Sequence, residues 1–323
     1  MDPILRTETE DVRFLLYRRI DKPLVSRRRG FFVIGDKMIK IIQSVKEMQT
    51  FSESLRLKGQ KIAFVPTMGY FHEGHLTLMK AGREKADCLI ISIFVNPIQF
   101  GPSEDLEKYP RDFDRDIQLA GDVGVDVVFY PTNEEMYPPL YQTSIQVEKV
   151  TRNLCGISRP DHFKGVTTVC AKLFNIVKPH MAVFGRKDFQ QLVAIKRMVQ
   201  DLNIDMEVIS MPTVREYDGL AMSSRNVYLK KEERNSALSL SRSLKLAKEM
   251  YDKGERNASV ISEAVRGFIE PHPYTKIEYV KICDANTLED IEQIKGEAVL
   301  ALAVKVSSTR LIDNYLFGDI LNI

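Results

Sequence analysis

His72, Glu73, Gly74 and His75 are the residues whose types and spacing first suggest chemistry. They follow an apolar run (Phe64-Val-Pro-Thr-Met-Gly69) and precede an amphipathic stretch marked by Leu76, Met79 and Ala86. That order predicts a strand, a tight turn and a helix N-terminus, where unpaired backbone N–H groups and the helix dipole favour an anion. Imidazoles placed there can donate to a phosphate, and Gly74 allows close backbone approach. The His-Glu-x-x-His spacing of a zinc protease is absent. A helix cap with satisfied histidines is the plainer alternative.

Three further loops fall where strands are expected to end. Phe94-Val-Asn-Pro-Ile-Gln-Phe-Gly101 offers Asn96 and Gln99, neutral amides suited to a small hydroxylated carboxylate. Gly185-Arg-Lys-Asp-Phe-Gln-Gln191 offers Lys187 for a phosphate, Asp188 for a ribose hydroxyl and Gln191 facing the same cleft. It is not a P-loop, because the G-x-x-x-x-G-K-[ST] spacing is missing. Asp218-Gly-Leu-Ala-Met-Ser-Ser-Arg-Asn226 places two hydroxyls before a guanidinium, a set able to wrap a polyphosphate, with Arg225 stabilising transition-state charge. Asp112, Asp114 and Asp116 share a helical turn and can form a solvated acidic face or hold Mg²⁺ through water. Asp116 is the metal-ligand candidate among them.

The elements that must carry these loops alternate. Strands are expected over 61–65, 88–95, 126–130, 181–184 and 205–211, and helices over 112–122, 166–177 and 189–201, with a helical stretch between the first two strands. Such alternation predicts an α/β fold, a Rossmann-like doubly wound parallel sheet with ligands at the carboxyl ends of its strands. Beyond Pro212 the pattern becomes a long helix over 231–253, a second helix and strands over 276–283, 298–306 and 310–315. The expected division is therefore 38–212 as the ligand-binding domain and 213–323 as a smaller α+β domain. Residues 1–37, which include Arg27-Arg28-Arg29, read as an N-terminal extension, flexible or the product of an overlong start, and less readily as a basic arm for RNA or a membrane.

Composition narrows the classes. The chain has 323 residues, 44% hydrophobic and 28% charged, which suits an ordinary globular enzyme. A formal net charge of +2 provides no global attraction to nucleic acid or acidic membranes. The apolar run at 88–95 is far too short to cross a bilayer. Four cysteines without a C-x-x-C pair predict buried thiols and a cytoplasmic protein rather than a disulfide or zinc framework.

Taken together, six segments resemble the pantoate–β-alanine ligase family: Val65-Pro-Thr-Met-Gly with His72-Glu-Gly-His75, Ser92-Ile-Phe-Val-Asn-Pro-Ile-Gln-Phe, Ser158-Arg-Pro-Asp-His-Phe-Lys-Gly-Val166, Gly185-Arg-Lys-Asp-Phe-Gln-Gln191, Asp218 to Asn226, and Arg310-Leu-Ile-Asp-Asn314. The H-x-G-H element alone indicates only a wider nucleotidyl-transferase superfamily, and another member of that superfamily is the alternative reading. The resemblance implies a two-step reaction with MgATP. Pantoate is first adenylated with loss of pyrophosphate, and β-alanine then displaces AMP to give pantothenate.

The same resemblance implies an ATP site from Met68, Gly69, Tyr70, Phe71, His72, Glu73, Gly74 and His75, from Gly185, Arg186, Lys187 and Asp188, and from Val214, Met222, Ser223, Ser224 and Arg225. His75 would be the proton donor, with His72, Lys187 and Arg225 sharing the catalytic electrostatics. Gln99 and Gln191 would bind pantoate, with Gln99 also touching β-alanine and Asn96 nearby. A homodimer through the first domain is implied as well. Three positions depart from the family's habit: Arg186, expected to add charge beside the phosphates, Asp161 in place of a frequent glycine, and Lys305 in place of a large apolar residue.

Overall fold

A computed structural model describes residues 26–28, 31–34, 37–102 and 104–318. Eight strands form one sheet: β1 (Ser26–Arg28), β2 (Phe31–Ile34), β3 (Lys37–Ile42), β4 (Ile62–Thr67), β5 (Cys88–Ile93), β6 (Val127–Phe129), β7 (Met181–Gly185) and β8 (Glu207–Met211). Their order is β1-β2-β3-β6-β5-β4-β7-β8. From β3 to β8 every pairing is parallel. β1 and β2 add antiparallel to the β3 edge. This corrects part of the expectation for the N-terminal extension, since 26–28 and 31–34 extend the sheet. Residues 1–25 lie outside the described residues.

Helices cover both faces because the central strands are apolar at nearly every position, and successive side chains point to opposite faces. On one face α1 (Val45–Leu57), α4 (His162–Val177) and α5 (Phe189–Asp201) pack with Ile62, Phe64 and Ile90. On the other, α2 (Glu73–Lys85) and α3 (Phe113–Asp122) pack with Ala63, Val65 and Leu89. The Rossmann-like expectation is met. From β4 the chain winds outward through β5 and β6, then returns to place β7 on the other side of β4. This reversal opens a crevice beyond the carboxyl ends of β4 and β7.

After β8 the chain builds a smaller layer from α6 (Arg234–Asp252), α7 (Ala258–Ile269) and an antiparallel sheet of β9 (Thr275–Asp284), β10 (Ala298–Val306) and β11 (Thr309–Phe317). One face of this sheet lies under α6 and α7. The other meets the first layer, where Cys283, Val299 and Leu316 cluster with Leu154, Phe163 and Phe189. β10 is thus buried on both faces except at Lys305, whose ammonium lies 3.8 Å from Glu278 Oε1. The lysine leaves the packing intact. Asp161 is equally benign, because its φ of −92° needs no glycine. All four cysteines are free and buried.

Candidate active site

The loop after β4 is built around a buried carboxylate. Asp116 of α3, 1% exposed, accepts from the backbone N–H of Tyr70 at 2.6 Å and of Phe71 at 2.7 Å. Those bonds hold two residues of left-handed backbone, Gly69 (φ +84°) and Tyr70 (φ +53°). A Cβ on Gly69 would lie 3.0 Å from Asp116 Oδ2, a tight contact at a left-handed position that already favours glycine. Burial pushes the Asp116 carboxyl up to about 6, against the lowering effect of the two N–H groups. Phe71 anchors the far end of the loop in the core.

The chain then enters α2 with His72 as N-cap and His75 in its first turn. The His72 backbone N–H donates to His75 Nδ1 at 3.3 Å, so the His75 proton sits on Nε2. The two ring centroids lie 4.1 Å apart with the planes tilted by 35°, and a Cβ on Gly74 would come within 2.8 Å of His72 Cε1. His72 Nδ1 is buried without a hydrogen-bond partner among the described residues. Burial, then His75 and Lys187, lowers the His72 imidazole to about 2. Burial and Lys187 lower His75 to about 4. Both rings are therefore neutral at pH 7 and act as hydrogen-bonding groups. The proton-donor role that the resemblance implies for His75 would therefore be exercised through its Nε2–H.

At the β7 end, a single 3₁₀ turn (Arg186–Asp188) brings Lys187 into the same crevice. Its ammonium stands 3.6 Å from Asp188. The turn is clamped from the second layer, where Asn314 Nδ2 donates to the carbonyls of Arg186 at 3.0 Å and Lys187 at 2.9 Å. Its neighbour Asp313 is tied to Arg215 by two bonds of 2.6 and 3.0 Å.

The amides converge from two other elements. Gln99 ends the 3₁₀ turn Pro97–Gln99, which rests directly on α4. A Cβ on Gly165 would lie 2.6 Å from Gln99 Cα, so only glycine permits that contact. Gln191, from the first turn of α5, lines the cleft beside Lys187. From the second layer, Met222, Ser223, Ser224 and Arg225 close the opening, with Val214 behind them. The Met222 N–H donates to the Val214 carbonyl at 2.9 Å. Ser224 Oγ donates to the Tyr70 carbonyl at 3.2 Å. Arg225 is held by Asp105 through bonds of 2.9 and 2.8 Å and lies over the Tyr109 ring.

One crevice at the point where the sheet reverses thus joins phosphate-type donors to amides. A sequence model of the pantoate–β-alanine ligase family matches residues 40–316. This chain belongs to that family. It is 66% identical to a pantothenate synthetase of Syntrophus aciditrophicus over 88% of this chain and the whole of that one. It is 56% identical to one from Pelotomaculum thermopropionicum over 87% of this chain and 99% of that one. A crystal structure of pantothenate synthetase from Thermus thermophilus superposes with a TM-score of 0.81 at 41% identity, covering 86% of this chain and 99% of that one. A Francisella tularensis pantoate–β-alanine ligase, complexed with β-γ ATP and β-alanine, gives 0.71 at 33% identity, over 86% and 97% of the two chains.

Within this ligase, several residues expected in the site support it from outside the cleft. Gly69, Tyr70 and Phe71 shape the loop but do not line the opening. Glu73 faces away and pairs with Lys80 at 2.7 Å. Arg186 departs from its expected place beside the phosphates: its Nε reaches Ser210 Oγ at 3.4 Å on β8. Asp116 has both oxygens committed to backbone N–H groups, which argues against the metal role expected from the sequence. The described residues contain no group of three or more His, Cys, Asp or Glu arranged to hold a metal ion. Asp105 and Asn314 were missed as site components. Asp105 sits in an acidic, unpatterned stretch, and only its partner Arg225, distant in sequence, reveals its role.

Proposed function

We propose that the chain condenses pantoate with β-alanine using ATP, through a pantoyl adenylate, with release of pyrophosphate and AMP. The observation that carries this reading is the convergence, at one strand-end crevice, of the neutral imidazoles His72 and His75 and the cations Lys187 and Arg225 with the amides Asn96, Gln99 and Gln191. A carboxylate is a poor electrophile, and AMP is a far better leaving group than hydroxide. His75 Nε2–H and the α2 N-terminus would hold phosphate oxygens, while Lys187, Ser223, Ser224 and Arg225 stabilise charge as pyrophosphate departs. Arg225 must exchange Asp105 for phosphate as the nucleotide enters. Gln99 and Gln191 would orient the pantoate carboxylate for in-line attack, and Gln99 the incoming amine. Closure by the second layer shields the mixed anhydride from water.

The residues present do not build a Mg²⁺ cage, so in this reading the ion arrives on the nucleotide's phosphates and no step is routed through it. The division at 212 into an ATP- and pantoate-binding domain and a lid, the homodimer through the first domain and the cytoplasmic setting belong to the same proposal, supported by the family resemblance. The test is AMP release from MgATP with pantoate or β-alanine omitted in turn. AMP and pantothenate formed together only in the complete mixture would support the reading. A protein that binds ATP yet turns over nothing in that mixture would overturn it.

A further inference from the structure

Asn96 is 1% exposed, and its surroundings leave its amide one orientation. Its Nδ2 lies 3.2 Å from the backbone carbonyl of Gly165, which can only accept. Oδ1 then faces the Tyr137 hydroxyl at 2.7 Å, and Tyr137 must be the donor. The second N–H of the same amide meets Gln99 Oε1 at 3.1 Å. Gln99 is therefore oriented too. Its Nε2 is the end turned toward the cleft, where its neighbour is Met68 Sδ at 3.1 Å, a weak acceptor easily exchanged for an oxygen.

We propose that Tyr137 is a positioning residue of the ligase: through Asn96 it holds Gln99 with its N–H₂ group facing the acceptor oxygens of a hydroxy-carboxylate substrate. This inference rests on the function proposed above and adds to it the direction of the Gln99 hydrogen bond. The opposite rotamer would present a carbonyl to a carboxylate, two acceptors facing each other. Tyr137 itself does not line the cleft. Its ring packs against Phe94 and Tyr141, and Lys172 lies over both tyrosine rings, so the hydroxyl is held in place from outside. Burial, helped by Tyr141 and Cys170, raises the Tyr137 phenol well above its ordinary range, and it remains a donor at every working pH.

The experiment is a double-mutant cycle read in steady-state constants for each substrate. Tyr137→Phe keeps the ring and removes the donor. It is expected to raise the KM for pantoate about fivefold, the loss of roughly one neutral hydrogen bond, with kcat and the KM for ATP within about twofold of wild type. In a Gln99→Ala background the same substitution should leave the pantoate KM unchanged, because the residue through which Tyr137 acts is gone. Tyr141→Phe is the control, since the Tyr141 hydroxyl has no partner among the described residues and its loss should change nothing. An equal effect of Tyr137→Phe in both backgrounds, a parallel rise in the KM for ATP, or an equal effect of Tyr141→Phe would refute the relay. Wild-type protein that never turns over pantoate would instead overturn the proposed function, and the relay with it.

Discussion

Asp116 provides the sharpest test, because the sequence and the structure assign it different work. Replacing it with alanine strands the buried N–H groups of Tyr70 and Phe71, each worth about 1–3 kcal/mol when left unpaired. The left-handed backbone at Tyr70 then loses what holds it, a strain of about 1–2 kcal/mol. Even the lower end of these ranges, a combined loss of about 3 kcal/mol in loop order, corresponds to a fall of at least a hundredfold in kcat/KM. Asp116→Asn keeps one acceptor but turns an N–H₂ group toward a backbone donor, so it should cost nearly as much. The assay is pyrophosphate release across a Mg²⁺ titration, alongside urea unfolding. The expected result is lower kcat/KM at every Mg²⁺ concentration, an unchanged apparent Mg²⁺ affinity and reduced stability. Activity restored by excess Mg²⁺, with stability intact, would refute the structural assignment and return Asp116 to the metal.

Two further outcomes follow from the same geometry. Burial lowers His72 to about 2, and His75 and His162 each to about 4, below the free value of 6.5. The unfolded chain therefore binds more protons than the native one as pH falls below 6.5, and stability is lost from there toward 4 for His75 and His162 and toward 2 for His72. Denaturation midpoints should fall between pH 7 and 5, and NMR of the unliganded protein should show no titration of His75 near 6.5; a normal titration there would contradict the assigned environment. Gly165→Ala would drive a Cβ to within 2.6 Å of the Ile98 carbonyl oxygen and of Gln99 Cα. It should destabilise by about 1–3 kcal/mol and raise the KM for pantoate more than that for ATP; equal changes in both would contradict the seating of Gln99 on α4.

Much of this was legible before any coordinates. The apolar run that became β5, interrupted only by Ser92, has the length of a buried strand, and α5 takes the bounds its periodicity predicted, since a core-facing stripe is a local property of the chain. The histidines at the mouth of α2, Lys187 after β7 and the Ser-Ser-Arg loop were identifiable because glycine turns and helix starts mark strand ends. β1 and β2 were not, because strands of three and four residues carry too little pattern and gain their order by adding to an existing edge.

What tertiary structure alone decided is which polar groups complete one another. Asp116 lies 46 residues from Tyr70, Arg225 lies 120 from Asp105, and Asn314 lies 127 from Lys187. Sequence periodicity reports which face of an element is buried, whereas a hydrogen bond depends on where two remote elements meet and on the dryness of that meeting place. The sequence by itself pointed to loops carrying phosphate-type donors and neutral amides at the carboxyl ends of the strands. The packing determined how far the His75 imidazole is lowered, that Asp116 supports the loop, and how the Gln99 amide is turned, because burial shifts protonation and fixed partners set orientation.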